Sequence, residues 1–159
     1  MTGLERIVFG AVGPWLAATL MGCGSKQVRV HIADRDTGRT LFETHCAGCH
    51  LNEGQWMRGE APPLEGSAWV AGPESHLIRI VLHGLRGPIE VAGKPYNQEM
   101  PGFGPILTDE RIASLITHLR ERFVQNPTSP VLPEVVGRIR ASAPDRTNYW
   151  TVDELLKQP

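Results

Sequence analysis

Apolar residues along the chain cluster into a few patterned stretches separated by Pro- and Gly-rich segments, and each pattern predicts its own element. Ile112, Leu115, Ile116 and Leu119 fall at three- and four-residue spacing, which gives a helix one apolar stripe that must be buried. Thr108 stands before this run, followed by Asp109 and Glu110. A threonine oxygen takes up a free N–H of the first turn and two carboxylates complement its positive end, so the helix is expected to begin there. A second helix is expected from Pro73 to His83, and a short one from Glu134 to Ala141 after a linker punctuated by Pro127, Pro130 and Pro133. Near the end, Thr151-Val152-Asp153-Glu154 fits a capping box, with Trp150 and Leu155 spaced as its hydrophobic staple. Tyr149 and Trp150 are therefore expected to pack on the domain, with partner docking as the alternative.

The first residues follow another pattern. Ile7 to Leu20 is apolar and uncharged behind Arg6, yet too short to span a bilayer comfortably, and Gly10, Gly13 and Pro14 interrupt it. Residues 1–22 read as an export signal. Leu20-Met21-Gly22-Cys23 resembles the bacterial lipoprotein processing box, in which the Cys receives lipid; Met21 departs from its small residue, and Glu5 weakens the positive start. The resemblance implies lipidation of Cys23 and a membrane anchor, against the alternatives of an uncleaved apolar anchor or a free, buried Cys23. All put the bulk of the chain outside the cytoplasm. Residues 23–37 then form a polar tether, although the alternation at Val28, Val30 and Ile32 also suits a short strand.

Composition changes this picture little. A chain of 159 residues, 41% hydrophobic and 21% charged, has room for one compact domain with appendages. The expected division is a domain over residues 38–125 and a Pro-containing extension over 126–159. A formal net charge of -1, with no basic run, argues against nucleic acid as a partner.

Chemistry concentrates in Cys46-Ala47-Gly48-Cys49-His50. This C-x-x-C-H spacing suits covalent attachment of one haem c: two thiols add across the two vinyl groups, and the adjacent imidazole is carried under the iron as proximal ligand. A Cys46–Cys49 disulfide and a thioredoxin-like redox pair share the C-x-x-C spacing. No strand-helix-strand pattern surrounds it, however, and zinc would need a second ligand pair when Cys23 is the only other Cys. For the second axial position, Met57 is too close in sequence to His50 to pass around the macrocycle. Met100 lies in a loop stiffened by Pro101, Gly102, Gly104 and Pro105 and has the reach. His76 and His83, on the expected helix, and an open position are the alternatives.

Taken in order, the Cys46–His50 run, Pro62-Pro63-Leu64-Glu65-Gly66, Tyr96-Asn97-Gln98-Glu99-Met100-Pro101 and the amphipathic helix after Thr108 resemble the class I cytochrome c family. The resemblance implies an all-α fold, a helical domain wrapped around one covalent haem. It also implies that Pro62 offers its carbonyl to the proximal His50 N–H, and that Trp69, Tyr96 and Asn97 pack against the haem or bond its propionates. Gly38 and Phe42 match the family's first helix, where a small residue and an aromatic cross its last helix. At His118 the family often has an aromatic, so the chain departs there, with a histidine able to serve similarly.

Within the family, Ala61 to Val70 and Gly84 to Ile89 look most like cytochrome modules that serve membrane-associated quinoprotein dehydrogenases. The implied function is electron transfer rather than enzymatic catalysis, at the periplasmic or other extracytoplasmic face of a bacterial membrane. Electrons would come from a dehydrogenase or quinol-linked complex and pass towards an oxidase. The rival is a haem sensor or enzyme whose distal site is open because Met100 does not bind.

Overall fold

The computed structural model describes residues 35–51, 61–127 and 129–159. The expected export signal, Cys23, the Val28–Ile32 alternation and Met57 lie outside the described residues. Those described form α1 (Arg35–His45), α2 (Ala47–His50), α3 (Ala68–Ala71), α4 (Glu74–His83), β1 (Gly84–Leu85), β2 (Ile89–Val91), β3 (Lys94–Tyr96), β4 (Met100–Pro101), α5 (Asp109–Phe123), α6 (Pro133–Ala141) and α7 (Val152–Leu155). No helix among them is long and apolar enough to cross a membrane.

The expected stripe builds the core. Ile112, Leu115 and Ile116 of α5 are completely buried, and Thr108 caps the helix by accepting the Arg111 N–H at 3.4 Å. α1 crosses α5 at Gly38, where an added Cβ would lie 2.3 Å from the Ser114 carbonyl oxygen and 2.8 Å from His118 Cβ. Only a residue without a side chain lets the two backbones approach so closely. Phe42, one turn further on, has ring centroids 5.9 Å from His118 and 5.7 Å from Phe123. His118 thus fills a place in an aromatic contact.

Arg120, buried on α5, fixes the end of α3. Its Nε donates to the Val70 carbonyl at 3.2 Å, and its Nη2 donates to the carbonyls of Ala71 and Gly72. One guanidinium therefore satisfies carbonyls that a helix end leaves without intrahelical partners.

The described residues are chiefly helical, as expected, but two small antiparallel sheets occupy the stretch between α4 and α5. β2 and β3 form a hairpin in which Val91 pairs with Lys94 across Ala92 and Gly93, both at positive φ (50° and 72°). That backbone suits the right-handed twist of paired strands. β1 and β4 pair Gly84 with Pro101 and Leu85 with Met100. Prolines and glycines stop this stretch from continuing a helix, so its backbone groups pair across strands instead.

The C-terminal residues pack on the rest. α6 lies against α4 and α5, with Val136 fully buried and the Val131 N–H donating to Thr117 Oγ1 at 3.0 Å. The capping box of α7 is complete: Thr151 and Glu154 each bond the other's backbone N–H, at 3.3 and 3.0 Å. Trp150 and Leu155 are buried in one cluster with Ile80 and Leu85, as the staple requires.

Candidate functional site

α1 ends at His45, and Cys46 caps the single turn of α2, where the N–H groups of Cys49 and His50 both bond the Cys46 carbonyl, at 3.1 and 2.9 Å. Residues four apart share a helix face, so Cys46 and His50 are both buried while Cys49 is exposed. All three line one cavity of about 780 Å³ with Tyr96, Met100 and Phe103. A chamber of about 650 Å³ adjoins it, sharing Cys46, His50 and Met100 and walled further in by Trp69, Val70 and Leu115.

The His50 ring is oriented from behind. Its Nδ1 lies 3.0 Å from the Pro62 carbonyl oxygen; a carbonyl only accepts, so Nδ1 carries the proton and Nε2 keeps its lone pair. Burial pushes the His50 pKa below its ordinary 6.5, against the opposing bond to Pro62, so the ring is a neutral imidazole ready to ligate a metal. Burial, helped by the neighbouring Cys49, pushes the Cys46 thiol up to about 12. A redox-active C-x-x-C pair needs the opposite shift, towards thiolate. Cys46 and Cys49 are both free thiols, and among the described residues no three metal-ligating His, Cys, Asp or Glu side chains converge.

Met100 reaches the cavity from β4, where it pairs with Leu85 of β1. His83 and His76 line neither chamber. The His83 Nδ1 lies 3.2 Å from the Arg146 carbonyl, its ring meets Trp150 edge-on, and the His76 Nε2 lies 3.4 Å from the Gln158 carbonyl. Trp69 stands in the inner wall, its indole N–H donating to the Glu90 carbonyl at 3.3 Å and tying α3 to β2. Tyr96 is buried in the outer wall, whereas Asn97 is exposed and lines neither chamber. Tyr96 is the last residue of β3, and Asn97 follows it outside the strand. Leu85, Ile89 and Phe103 also line both chambers. Sequence reasoning missed them as site residues because each is a lone apolar residue among turns, with no periodicity around it.

Residues 33–119 match the family described as cytochrome c oxidase, cbb3-type, subunit III. The chain belongs to the cytochrome c family. Over 78 residues it is 42% identical to cytochrome c-552 of Thermus thermophilus, an alignment covering 46% of this chain and 59% of that protein. It is 31% identical over 131 residues to the gluconate 2-dehydrogenase cytochrome c subunit of Pantoea cypripedii, covering 79% of this chain and 29% of the relative. To the cbb3-type cytochrome c oxidase subunit FixP of Sinorhizobium medicae it is 29% identical over 98 residues, 61% of this chain and 32% of the relative. The chain thus corresponds to a part of each of these relatives.

Members of this cytochrome family transfer electrons, and membership implies haem c. The residues fit that group. Two free thiols at C-x-x-C spacing stand on the cavity wall, a neutral imidazole is held with Nε2 available, and the surrounding walls are predominantly apolar.

Proposed function

We propose that this protein is a one-electron carrier that holds a single haem c covalently through Cys46 and Cys49, with His50 and Met100 as its axial ligands. The observation that carries this reading is the convergence of Cys46, Cys49, His50 and Met100 on one apolar cavity, with the His50 ring tied to Pro62. Haem supplies reversible one-electron chemistry at iron, and a thioether ligand in an apolar pocket favours the reduced state. Pro62 orients His50 and strengthens it as a donor. Pairing with β1 presents Met100, and Trp69 and Tyr96 close the walls. Held by both His50 and Met100, the iron would have no place open to substrate, which would separate a carrier from a sensor or enzyme.

The proposed donors are a dehydrogenase or quinol-linked complex and the acceptor an oxidase, in keeping with relatives described as dehydrogenase cytochrome subunits and a cbb3 oxidase subunit. The encounter surface would be small and transient. Residues 1–22 would serve as a lipoprotein-type export signal, Cys23 as the lipidated anchor and the segment after it as a tether to an extracytoplasmic membrane face. Replacing Cys23 with Ser should move the protein from the membrane to the soluble fraction; a variant that stays with the membrane would refute the anchor.

Optical spectra of the haem-loaded protein test the ligand set. Oxidised native protein should show the weak far-red iron–thioether band, and Met100→Ala should abolish it while leaving covalent c-type absorption. A native protein that lacks the band and binds carbon monoxide readily when reduced has an open distal site, and the simple carrier is then wrong.

A further inference from the structure

We propose that residues 140–155 form a clamp that holds the Met100 loop in place, with Trp150 as the positioning residue; this rests on Met100 being the distal ligand. β4 is two residues long and pairs only with β1, itself two residues long. So short a ladder has little stability of its own. The other edge of β1 is taken by Trp150, whose N–H donates to the Gly84 carbonyl at 3.1 Å and whose carbonyl accepts the Arg86 N–H at 2.8 Å. Trp150 thereby extends the ladder that carries Met100. Its side chain joins Leu85, Ile80 and Leu155 in one buried cluster against which Met100 packs. Gly84 sits between the two: an added Cβ would lie 2.3 Å from the Met100 carbonyl oxygen and 2.6 Å from the Tyr149 ring.

The indole is itself fixed. The Arg146 guanidinium lies 3.5 Å over its ring centre, held by the Tyr149 carbonyl and the Glu154 carboxylate, both at 2.7 Å. A second anchor grips the far end of the same loop. Arg140 donates to the carbonyls of Gly104 and Leu107 at 2.8 and 2.9 Å and to the Asp109 carboxylate at 2.8 Å. The loop that begins at Met100 and ends at α5 is therefore held near both ends by one C-terminal segment. That segment lies beyond residue 119, where the family match stops.

The test uses the full-length, haem-loaded protein well below its melting temperature. Native chain, Trp150→Ala, Trp150→Phe and Arg140→Gln are compared by the far-red thioether band, midpoint potential and carbon monoxide binding to the reduced form. All should keep covalent c-type absorption. Trp150→Ala and Arg140→Gln should bind carbon monoxide at least about ten-fold faster, as when a loop-open state rises from about 1% to about 10% of molecules. Their thioether band should weaken, whereas Trp150→Phe, which still fills the cluster, should stay near native.

Native band and native carbon monoxide rates in both Trp150→Ala and Arg140→Gln overturn the clamp, even if their melting temperatures fall, because the segment then only stabilises the fold. If Trp150→Ala does not accumulate, Arg140→Gln decides alone, since it leaves the Trp150 cluster intact. Absence of the band from the native chain refutes Met100 ligation itself and the clamp with it, an outcome distinct from failure of the clamp alone.

Discussion

Replacing Gly38 with Ala tests the crossing on which the helical frame rests. The new methyl carbon would stand 2.3 Å from the Ser114 carbonyl oxygen, against the 3.4 Å at which ordinary contact begins, so α1 and α5 must part by roughly 1 Å. The obstacle is α5 backbone, which cannot swing aside as a long side chain does. Forcing atoms into a packed interface costs typically 1 to 3 kcal/mol, and a backbone obstacle argues for the upper end, about 3 kcal/mol. Alanine in a helix interior returns about 1 kcal/mol over glycine. The net loss is about 2 kcal/mol, or a melting temperature lower by roughly 8 °C in a domain of this size. Thermal unfolding of the haem-loaded protein, followed by far-ultraviolet circular dichroism, measures it. Gly48→Ala is the control, because a Cβ there meets nothing within 4 Å; it should be neutral or slightly stabilising. A Gly38→Ala protein as stable as the native one would mean that the helices do not cross in this way.

Two further outcomes follow from particular side chains. Arg120→Met removes the donor shared by the Val70, Ala71 and Gly72 carbonyls and should lower stability in urea by about 3 kcal/mol, since buried acceptors left without partners cost about 1 to 3 kcal/mol each and the outermost regain water; Arg120→Lys, lacking the planar fork, should restore little, and full rescue would refute the geometry. The Glu154 carboxyl is held below its ordinary 4.5, chiefly by the Thr151 backbone N–H and then by Arg146. A carboxyl with a depressed folded pKa stabilises the fold above its unfolded pKa and loses that contribution as pH falls through the folded value. The native chain should therefore exceed Glu154→Gln in stability at neutral pH, by under about 1 kcal/mol for so exposed a group, and the gap should narrow as acid protonates the carboxyl; a gap independent of pH would refute the assignment.

Elements specified by neighbouring residues were legible in the chain. Thr108 and the Ile112–Leu119 stripe announce α5, Thr151 and Glu154 announce α7, and Cys46 to His50 mark the proposed haem site because the chemistry fixes their spacing. Features that depend on distant partners were not. β1 and β4 are too short to show a period, so their pairing became visible only once α4 had delivered Gly84 beside Pro101. The β2–β3 hairpin was hidden because its turn is Ala92-Gly93, without the Asn or Asp that usually marks one. Arg120 gave no signal, since its use depends on where α3 ends some fifty residues earlier in the chain. Asn97 lies exposed just past the end of β3, and its expected bond to a haem propionate depends on a group that neighbouring residues do not specify.

The buried side chains divide into a large cluster centred on Phe42, Ile78 and Leu115 and a smaller one made by Ile80, Leu85, Trp150 and Leu155. In a chain delivered N-terminus first, the thiols and His50 emerge long before Trp150, which joins β1 from sixty-five positions downstream. Every residue that lines the two chambers precedes Trp150 in the chain. The strand partner behind β1 therefore braces from outside a wall whose own residues are already present, and the cavity can take shape before its support is added.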